Sequence, residues 1–341
     1  MPRRSGSLGR LLGCLAALCL LALLVACAFA GYWYFAPYQG FNTEAFVEIE
    51  HGMSSRQIAQ TLAHRGVVKS QWAFLFVRLL HPRAPLQAGE YRFGSPQTPA
   101  QVFDEIRRGQ TFYEELTIPE GSNIFDIAAL LRQGDTVKPD DFLKTATDPS
   151  MIKDLDPLAP NLEGYLFPST YRVTHRTTAQ QLCRTMTAEF RKQWTAIAGA
   201  THNADIHRLV TVASLIEKET AIPQERPLVA AVFNNRLTAN MPLQCDPTTV
   251  YAALLQNHYR GTIHKSDLAN TNPYNTYAHA GLPPGPIANP GLSSLNAALH
   301  PADVQYLYFV AKPDGSGTHH FSATLDEHEK AVNAYREGVH R

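Results

Sequence analysis

The sequence has no excess of charge of either sign. Among its 341 residues, 30 lysines and arginines balance 30 aspartates and glutamates. A balanced chain has no bulk field that would attract a polyanion. It also has no basic run interleaved with aromatic residues that could stack on bases. Nucleic acid is therefore not an expected partner.

Metal-ligand spacings are also missing. The five cysteines include no C-x2-C pair, and the 14 histidines include no H-E-x-x-H motif. We therefore expect no metal and no other cofactor. Three cysteines lie in an apolar stretch near the N-terminus, and only Cys183 and Cys245 remain beyond it. A disulfide between these two is permitted by the sequence but not implied by it.

One long stretch lacks charge altogether. Residues 11–35 are uncharged and follow Arg3, Arg4 and Arg10. At about 1.5 Å per residue, a helix of this length spans roughly 37 Å, which is enough to cross a bilayer. Arginines before such a span predict a cytoplasmic N-terminus and an exported remainder. We expect residues 1–36 to form this N-terminus and a single uncleaved transmembrane helix.

Two other interpretations of the N-terminus stay open. The stretch Leu24 to Cys27 resembles a bacterial lipoprotein box, although such a box normally closes the apolar run and residues 28–35 continue it here. A cleaved signal peptide would have a shorter apolar core and a small-residue cleavage site.

The chain then uses one local plan twice. Residues 47–68 and 116–137 match with a shift of 69 positions, so that Gly52 corresponds to Gly121. Each copy predicts a short strand, a glycine turn and a capped helix. The candidate caps are Ser54 or Ser55 in the first copy and Ser122 or Asn123 in the second. The copies resemble LysM modules, which bind N-acetylglucosamine polymers; a spacer without sugar affinity is the alternative.

The predicted fold class is α+β. After the transmembrane helix we expect a LysM-like α+β subdomain at 37–137, a Pro- and Asp-rich linker at 138–160 and a mixed α+β domain at 161–341.

Two glutamates in the second domain could carry acid–base chemistry. Apolar residues recur at three- and four-residue spacing over about 204–220, which predicts a packed helix with Glu217 and Glu219 in its last turn. They lie about 160° apart around the axis, so they cannot share one cleft. The carbonyl end of a helix and partial burial both raise a carboxyl pKa, as a general acid for glycosidic bonds requires. The alternative is two solvated glutamates, one of them paired with Lys218 or Arg226.

Longer motifs decide between these possibilities. The stretches "EGYLFPSTY", "ASLIEKET", "ERPLVAAVFNNRL", "MPLQCDPTTVYA" and "YNTYAHAGLPPGPIANPG" closely resemble the membrane-anchored endolytic murein transglycosylases, the MltG or YceG-like family. The resemblance implies that residues 161–341 are the catalytic domain. It also implies that the second glutamate of E-K-E-T, Glu219, is catalytic, with Glu217 as the fallback.

The resemblance implies a reaction that needs one carboxylate. In the family, a glutamate protonates the oxygen between MurNAc and GlcNAc. It then takes the proton of the MurNAc C6 hydroxyl, which attacks the anomeric carbon and leaves a 1,6-anhydro end. The implied role is cleavage within nascent glycan strands, as a terminase of glycan elongation. The implied location is the cell inner membrane, with the catalytic domain in the periplasm and peptidoglycan synthases as candidate partners.

Several polar residues are candidates for holding the glycan. They are Asn235, Gln244, Asp246, Tyr274, Asn275 and Tyr277. Asp246 has an alternative role as the N-cap of a helix before Pro247, and His319 is interpreted as structural.

Two rival functions remain at this point. One is a non-catalytic peptidoglycan-binding scaffold of the wall-synthesis machinery. The other is a hydrolase that uses water, which would need a second well-placed carboxylate.

Overall fold

The computed structural model describes residues 6–199 and 205–339. The chain divides into two compact units, Met1–Glu114 and Glu115–Arg341. Arg3 and Arg4, and the predicted helix start at Ala204, lie outside the described residues.

The first unit mixes helices and strands. Its elements are α1 (Gly6–Phe35), β1 (Ala45–Ile49), α2 (Ser55–His64), α3 (Gln71–Leu80), β2 (Gly89–Phe93) and α4 (Pro99–Arg108). The strands pair antiparallel from Ala45 opposite Phe93 to Ile49 opposite Gly89.

The long N-terminal helix agrees with the apolar run. Within α1, the segment Leu12–Tyr32 has a mean hydropathy of 2.8 and none of its most apolar window is buried. Among the described residues it is the one helix long and apolar enough to cross a membrane.

The second unit is built mostly from helices. Its elements are β3 (Glu114–Thr117, which pairs with β4), α5 (Ile124–Leu131), α6 (Pro139–Ala146), a 3-10 turn (Pro149–Met151), β4 (Thr170–Val173), α7 (Ala179–Ala198), α8 (Ile206–Glu219), α9 (Arg226–Thr238), α10 (Asp246–Leu255), α11 (Lys265–Leu268), α12 (Leu292–Leu299), β5 (Tyr308–Ala311), β6 (His319–Ser322) and α13 (Leu325–Val339). β5 and β6 form an antiparallel pair.

Helix α8 lies at the centre of the second unit. It packs against α9, α10 and α12. Every residue from Val210 to Ile216 is buried. The apolar spacing predicted burial of one helix face only, whereas in the structure this segment is buried on all sides. Asp205 caps its first turn, accepting a hydrogen bond from the Arg208 backbone N–H at 3.0 Å. The packing fixes the axis of α8 and hence the position of its last turn.

The repeated local plan is confirmed in both copies. Ser54 caps α2 and Asn123 caps α5, each as part of a capping box. The turns before these caps need a left-handed residue, and Gly52 and Gly121 supply it with φ of +86° and +75°.

The division between the units differs from the predicted boundaries. The second copy of the plan belongs to the core of the second unit, where Ile118, Ile124 and Ile127 are buried. The expected linker at 138–160 is also folded there, with Phe142 and Ile152 fully buried.

The proline and aspartate content of that segment has a local explanation. Pro139 opens α6, and Asp148 accepts a hydrogen bond from the Ser150 backbone N–H at the 3-10 turn. These residues begin and cap short helical elements, as both types often do. The same composition therefore suits a linker or a folded run of short elements.

Candidate active site

The end of α8 presents Glu219. Thr220 follows in extended conformation, and its backbone N–H donates to the Ile216 carbonyl. Pro223 then prevents the helix from continuing. Glu219 is thereby held as the last helical residue, with its side chain at the margin of the packed face.

The Glu219 carboxylate faces a thiol. Cys245 lies at the start of α10, and its Sγ donates to Glu219 Oε1 at 2.9 Å. Burial raises the pKa of the Glu219 carboxyl and the negative charge of Asp246 raises it further, whereas the Cys245 hydrogen bond, His319 and Arg236 lower it. The net effect is a pKa above the ordinary glutamate value, which favours a protonated acid.

Glu217 has different partners. Its side chain is 5% exposed, and its Oε1 accepts a hydrogen bond from Arg226 Nη2 at 3.0 Å. Its Oε2 accepts the backbone N–H of Gly291 at 2.9 Å. Glu217 therefore joins α8 to α9 and to the segment before α12. The predicted alternative of a glutamate paired with Arg226 is confirmed for Glu217, although this carboxylate is buried rather than solvated.

The segment that carries Cys245 is anchored by Thr276. The backbone N–H of Cys245 donates to Thr276 Oγ1 at 3.0 Å, and that of Gln244 donates to the Thr276 carbonyl at 3.3 Å. Gln244 has a φ of +50°, which a residue with a Cβ rarely adopts. The left-handed residue turns the chain so that Cys245 is buried while the Gln244 side chain stays exposed.

The predicted N-cap role of Asp246 is wrong. The N-cap of α10 is Cys245, whose side chain makes no capping hydrogen bond, and the helix begins at Asp246 itself. The Asp246 carboxylate instead accepts the hydroxyl of Tyr277 at 2.6 Å. A carboxylate in the first turn still complements the helix dipole, but its partner comes from a distant loop.

Three of the predicted substrate residues lie around the acid. Gln244 and Asp246 flank Cys245 along the chain, and Tyr277 is hydrogen-bonded to Asp246. Gln244 and Asp246 are exposed and Tyr277 is half-buried, so all three side chains are open to solvent.

The other three already have internal partners. Asn235 donates both amide hydrogens to carbonyls, those of Val304 at 2.8 Å and Tyr306 at 2.9 Å. Asn275 is fully buried and its amide nitrogen is surrounded by carbonyls, the nearest being that of Asn270 at 2.6 Å. Tyr274 is buried, with its ring centroid 5.0 Å from that of Tyr251. In this structure these residues shape loops of the second unit.

A histidine–glutamate pair next to the site was not predicted. Glu225 accepts the His319 backbone N–H at 2.8 Å with one oxygen, and its other oxygen lies 2.7 Å from His319 Nδ1. The contact ties the start of β6 to the loop between α8 and α9. The two residues are 94 positions apart. No local pattern could therefore pair them, although Glu225 belongs to a motif quoted above and His319 was interpreted as structural.

Arg236 is the second group that sequence reasoning missed. Its guanidinium donates to the backbone carbonyls of Leu307 at 2.6 Å and Leu243 at 2.9 Å. It also lies 5.3 Å from the ring centroid of Tyr308. The charge near Glu219 is thus fixed by backbone oxygens, and it stabilises a carboxylate there.

Both cysteines of the second unit are free and buried. Within residues 6–199 and 205–339, no group of three or more His, Cys, Asp or Glu side chains could hold a metal ion. At the α8 terminus the structure brings one carboxyl, Glu219, together with a thiol, a phenol–carboxylate pair and a half-buried guanidinium.

Comparison with known proteins covers most of the chain. Residues 47–334 match the YceG-like family. An endolytic murein transglycosylase of Bacillus subtilis (strain 168) is 33% identical over 312 residues, which are 86% of this chain and 85% of the relative. A protein of the same name from Streptococcus pneumoniae serotype 2 is 30% identical over 351 residues, and the match covers 92% of this chain but 63% of that longer relative.

A solved structure shows the same architecture. The crystal structure of a YceG-like protein from Listeria monocytogenes aligns with a TM-score of 0.53 and 34% identity. The alignment covers 85% of this chain and 99% of that one.

Proposed function

Because this chain belongs to the YceG-like family, we propose that it is an endolytic murein transglycosylase that cleaves the bond between MurNAc and GlcNAc in peptidoglycan. The Bacillus and Streptococcus relatives carry that name, and the first of them is matched over most of its length. The function is thus that of a lytic transglycosylase, an enzyme that cuts glycan strands without consuming water.

The observation that carries the assignment of the acid is the environment of Glu219. It ends a buried helix, and its pKa is raised chiefly by burial. At neutral pH such a carboxyl keeps a proton more readily than a solvated glutamate does, so it can protonate the oxygen that leaves the anomeric carbon. Both oxygens of Glu217 are already engaged, one by Arg226 and the other by the Gly291 backbone N–H.

The second half of the reaction uses the same group as a base. Once Glu219 has given up its proton, its carboxylate accepts the proton of the MurNAc C6 hydroxyl, and the C6 oxygen closes on the anomeric carbon. Cys245, Arg236 and His319 favour the charged form at this stage because each lowers the pKa of Glu219. Some neighbours raise the pKa of Glu219 and others lower it, which suits a residue that must both give and take a proton.

Around this acid we assign the substrate contacts to Gln244, Asp246 and Tyr277. Gln244 and Asp246 flank Cys245 in the chain and Tyr277 is hydrogen-bonded to Asp246. An amide, a carboxylate and a phenol can all hydrogen-bond sugar hydroxyls. Asn235, Tyr274 and Asn275 shape the supporting loops, since their polar atoms or rings are already engaged.

The N-terminal helix supports an anchored enzyme. A span of Leu12–Tyr32 would hold the chain in the cell inner membrane, and the arginines before it favour a cytoplasmic N-terminus. The catalytic unit would then lie in the periplasm, close to nascent glycan strands. Such a position suits a terminase of glycan elongation that works beside peptidoglycan synthases, with the LysM-like part of the first unit helping to hold the strand.

A paired substitution tests the assignment of the acid. Glu219→Gln keeps the shape of the side chain but cannot exchange a proton, so cleavage of purified sacculi should fall by about 10²–10⁴-fold or more. Glu217→Gln weakens a buried ion pair, so it should lower the melting temperature while the activity per folded molecule stays near that of the wild type.

Activity and thermal unfolding of both variants separate the two roles. A harmless Glu219→Gln beside an inactive but folded Glu217→Gln would show that Glu217 is the acid. Full activity of both variants would place the catalytic acid elsewhere, and a wild-type chain that cleaves no sacculi would favour a scaffold without catalysis.

A further inference from the structure

Helix α3 in the first unit has two apolar faces. Ala73, Phe74 and Val77 are buried in the core of the unit. The other face leaves Trp72 58% exposed and Leu79 73% exposed. Adjacent large apolar side chains that stay in contact with solvent mark an interaction surface.

This second face forms a stripe at helical spacing, exposed at Trp72 and Leu79 and half-buried between them. It consists of Trp72, Leu75, Phe76 and Leu79, which follow one another by three, one and three positions. The single charged residue of α3 is Arg78, whose guanidinium donates to the carbonyls of His81 and Ala84, each at 2.7 Å. Its charge is therefore held by backbone oxygens at the end of the helix.

The stripe continues the apolar surface of the transmembrane helix. Trp72, Leu75, Phe76 and Leu79 share one open groove with Ala26, Phe29 and Ala30 of α1. Those α1 residues belong to the last turns of the candidate span Leu12–Tyr32. A bilayer that surrounds α1 would therefore reach the groove and the stripe together.

The start of α3 is fixed at the end of the span. Lys69 Nζ donates to the hydroxyl of Tyr32 at 3.1 Å and lies 5.5 Å from the centroid of its ring. Tyrosine and lysine are typical of the headgroup level, where an aromatic body and a charge can both be accommodated.

We propose that α3 lies in the outer interface of the membrane, with its Trp72–Leu79 stripe packed on lipid acyl chains beside α1. From Ala26 to Tyr32 the span covers about 9 Å along its axis. Interfacial helices bury their apolar face to a depth of roughly 5–10 Å, and the span of about 9 Å between Ala26 and Tyr32 falls within that depth. The surface fits a bilayer better than a second copy of the chain because it is continuous with a helix that lipid already surrounds. The inference rests on the proposed anchoring role of α1.

This contact would hold the first unit against the membrane. A single helix leaves an attached domain free to tilt and rotate, whereas a second inserted element restricts both motions. The enzyme would then meet only strands that lie near the membrane surface.

Tryptophan fluorescence tests the proposal because the chain has three tryptophans, Trp33, Trp72 and Trp194. Three full-length chains, each with one tryptophan kept and the other two changed to Phe, are reconstituted into phosphatidylcholine and phosphatidylglycerol vesicles. The same lipids with bromine on the acyl chains quench only indoles in contact with those chains. Trp72 should lose emission intensity to a degree comparable with Trp33, which directly follows the span. Its emission should also shift to the blue relative to the chain in lipid-free detergent.

Trp194 is the matched control, since it is buried in the second unit and stacks on Phe190. Its emission should not respond to bromine, and an unquenched blue-shifted Trp194 also shows that the chain is folded. Quenching of Trp33 without quenching of Trp72 would overturn the inference while leaving the anchor intact. Emission of Trp72 that depends on protein concentration but not on bromine would point to a second copy instead. Loss of quenching at Trp33 as well would mean that the anchor itself fails.

Discussion

At the residue scale, two neighbours act on Glu219 in opposite directions. The Cys245 thiol donates a hydrogen bond that lowers the pKa of the Glu219 carboxyl, and the Asp246 carboxylate raises it. In the proposed mechanism cleavage begins with Glu219 protonated, so activity should decline as the pH rises through this pKa. The two neighbours therefore set where the alkaline limb of the pH profile lies.

Substitution of each neighbour should move that limb in opposite senses. Cys245→Ala removes the donor, so the pKa of Glu219 rises and the limb moves to higher pH. Asp246→Asn removes a negative charge but still accepts the Tyr277 hydroxyl, so the limb moves to lower pH. Cleavage rates of sacculi over a pH series check both shifts, and Cys245→Ser, which restores a donor, should resemble the wild type. Shifts in the same direction would contradict the geometry.

The sequence singled out Glu219 but not the contacts around it. Glu219 could be chosen because its motif is long and its position at a helix end is local information. The contacts of Asp246 with Tyr277, 31 residues away, and of Glu225 with His319 depend on how distant loops meet. The Asp-Pro pair predicted that Asp246 caps its own helix, but in the structure its carboxylate binds the hydroxyl of Tyr277 instead.

At the scale of elements, a buried carboxyl links the start of α5 to two loops. Glu163 is fully buried. One of its oxygens accepts a hydrogen bond from the backbone N–H of Ile124 at 2.9 Å, and the other accepts one from Asn289 Nδ2 at 2.9 Å. Asn289 in turn accepts the backbone N–H groups of Gly164 and Leu166. Burial raises the pKa of Glu163 to about 8, so the folded protein holds this group protonated at neutral pH.

The raised pKa predicts a stability that falls with pH. The unfolded chain loses the Glu163 proton near 4.5 and the folded chain near 8. This group's stabilising effect is therefore complete below about pH 4.5 and decreases up to about pH 8, by up to about 1.4 kcal/mol per pH unit. Glu163→Gln cannot titrate, so its unfolding midpoint should vary less between pH 5 and 8 than that of the wild type. It should also be lower at pH 5, because one of the two donors loses its acceptor.

Calorimetry of the full chain in mild detergent measures both midpoints across this range. An unchanged slope in the variant would show that other groups control the pH dependence.

The local plan of strand, turn and helix was predictable, but the unit in which the second copy packs was not. The glycine turns and the Ser54 and Asn123 caps appear where the pattern placed them. The repeat suggested one domain holding both copies, yet α5 packs in the second unit. Local chemistry specifies an element, whereas the identity of its packing partners depends on the whole core.

At the scale of the molecule, the unit boundary predicts which fragment folds. A fragment of residues 115–341 keeps β3 and α5 and should show a cooperative melting transition, with some cleavage of sacculi and weaker binding to them. A fragment of residues 161–341 loses Ile118, Ile124 and Phe142 from the core and should not fold. Circular dichroism on heating distinguishes the two outcomes. Cooperative unfolding of the shorter fragment would support the predicted boundary at 161 instead.

The new chain ends report directly on whether one carboxyl, Glu219, cleaves glycan without water. Purified sacculi are digested with the wild-type chain, and the soluble products are analysed by mass spectrometry. We expect 1,6-anhydroMurNAc at the new ends and none formed by Glu219→Gln. Reducing MurNAc ends in the wild-type products would contradict this expectation, because they would show that water attacks the anomeric carbon.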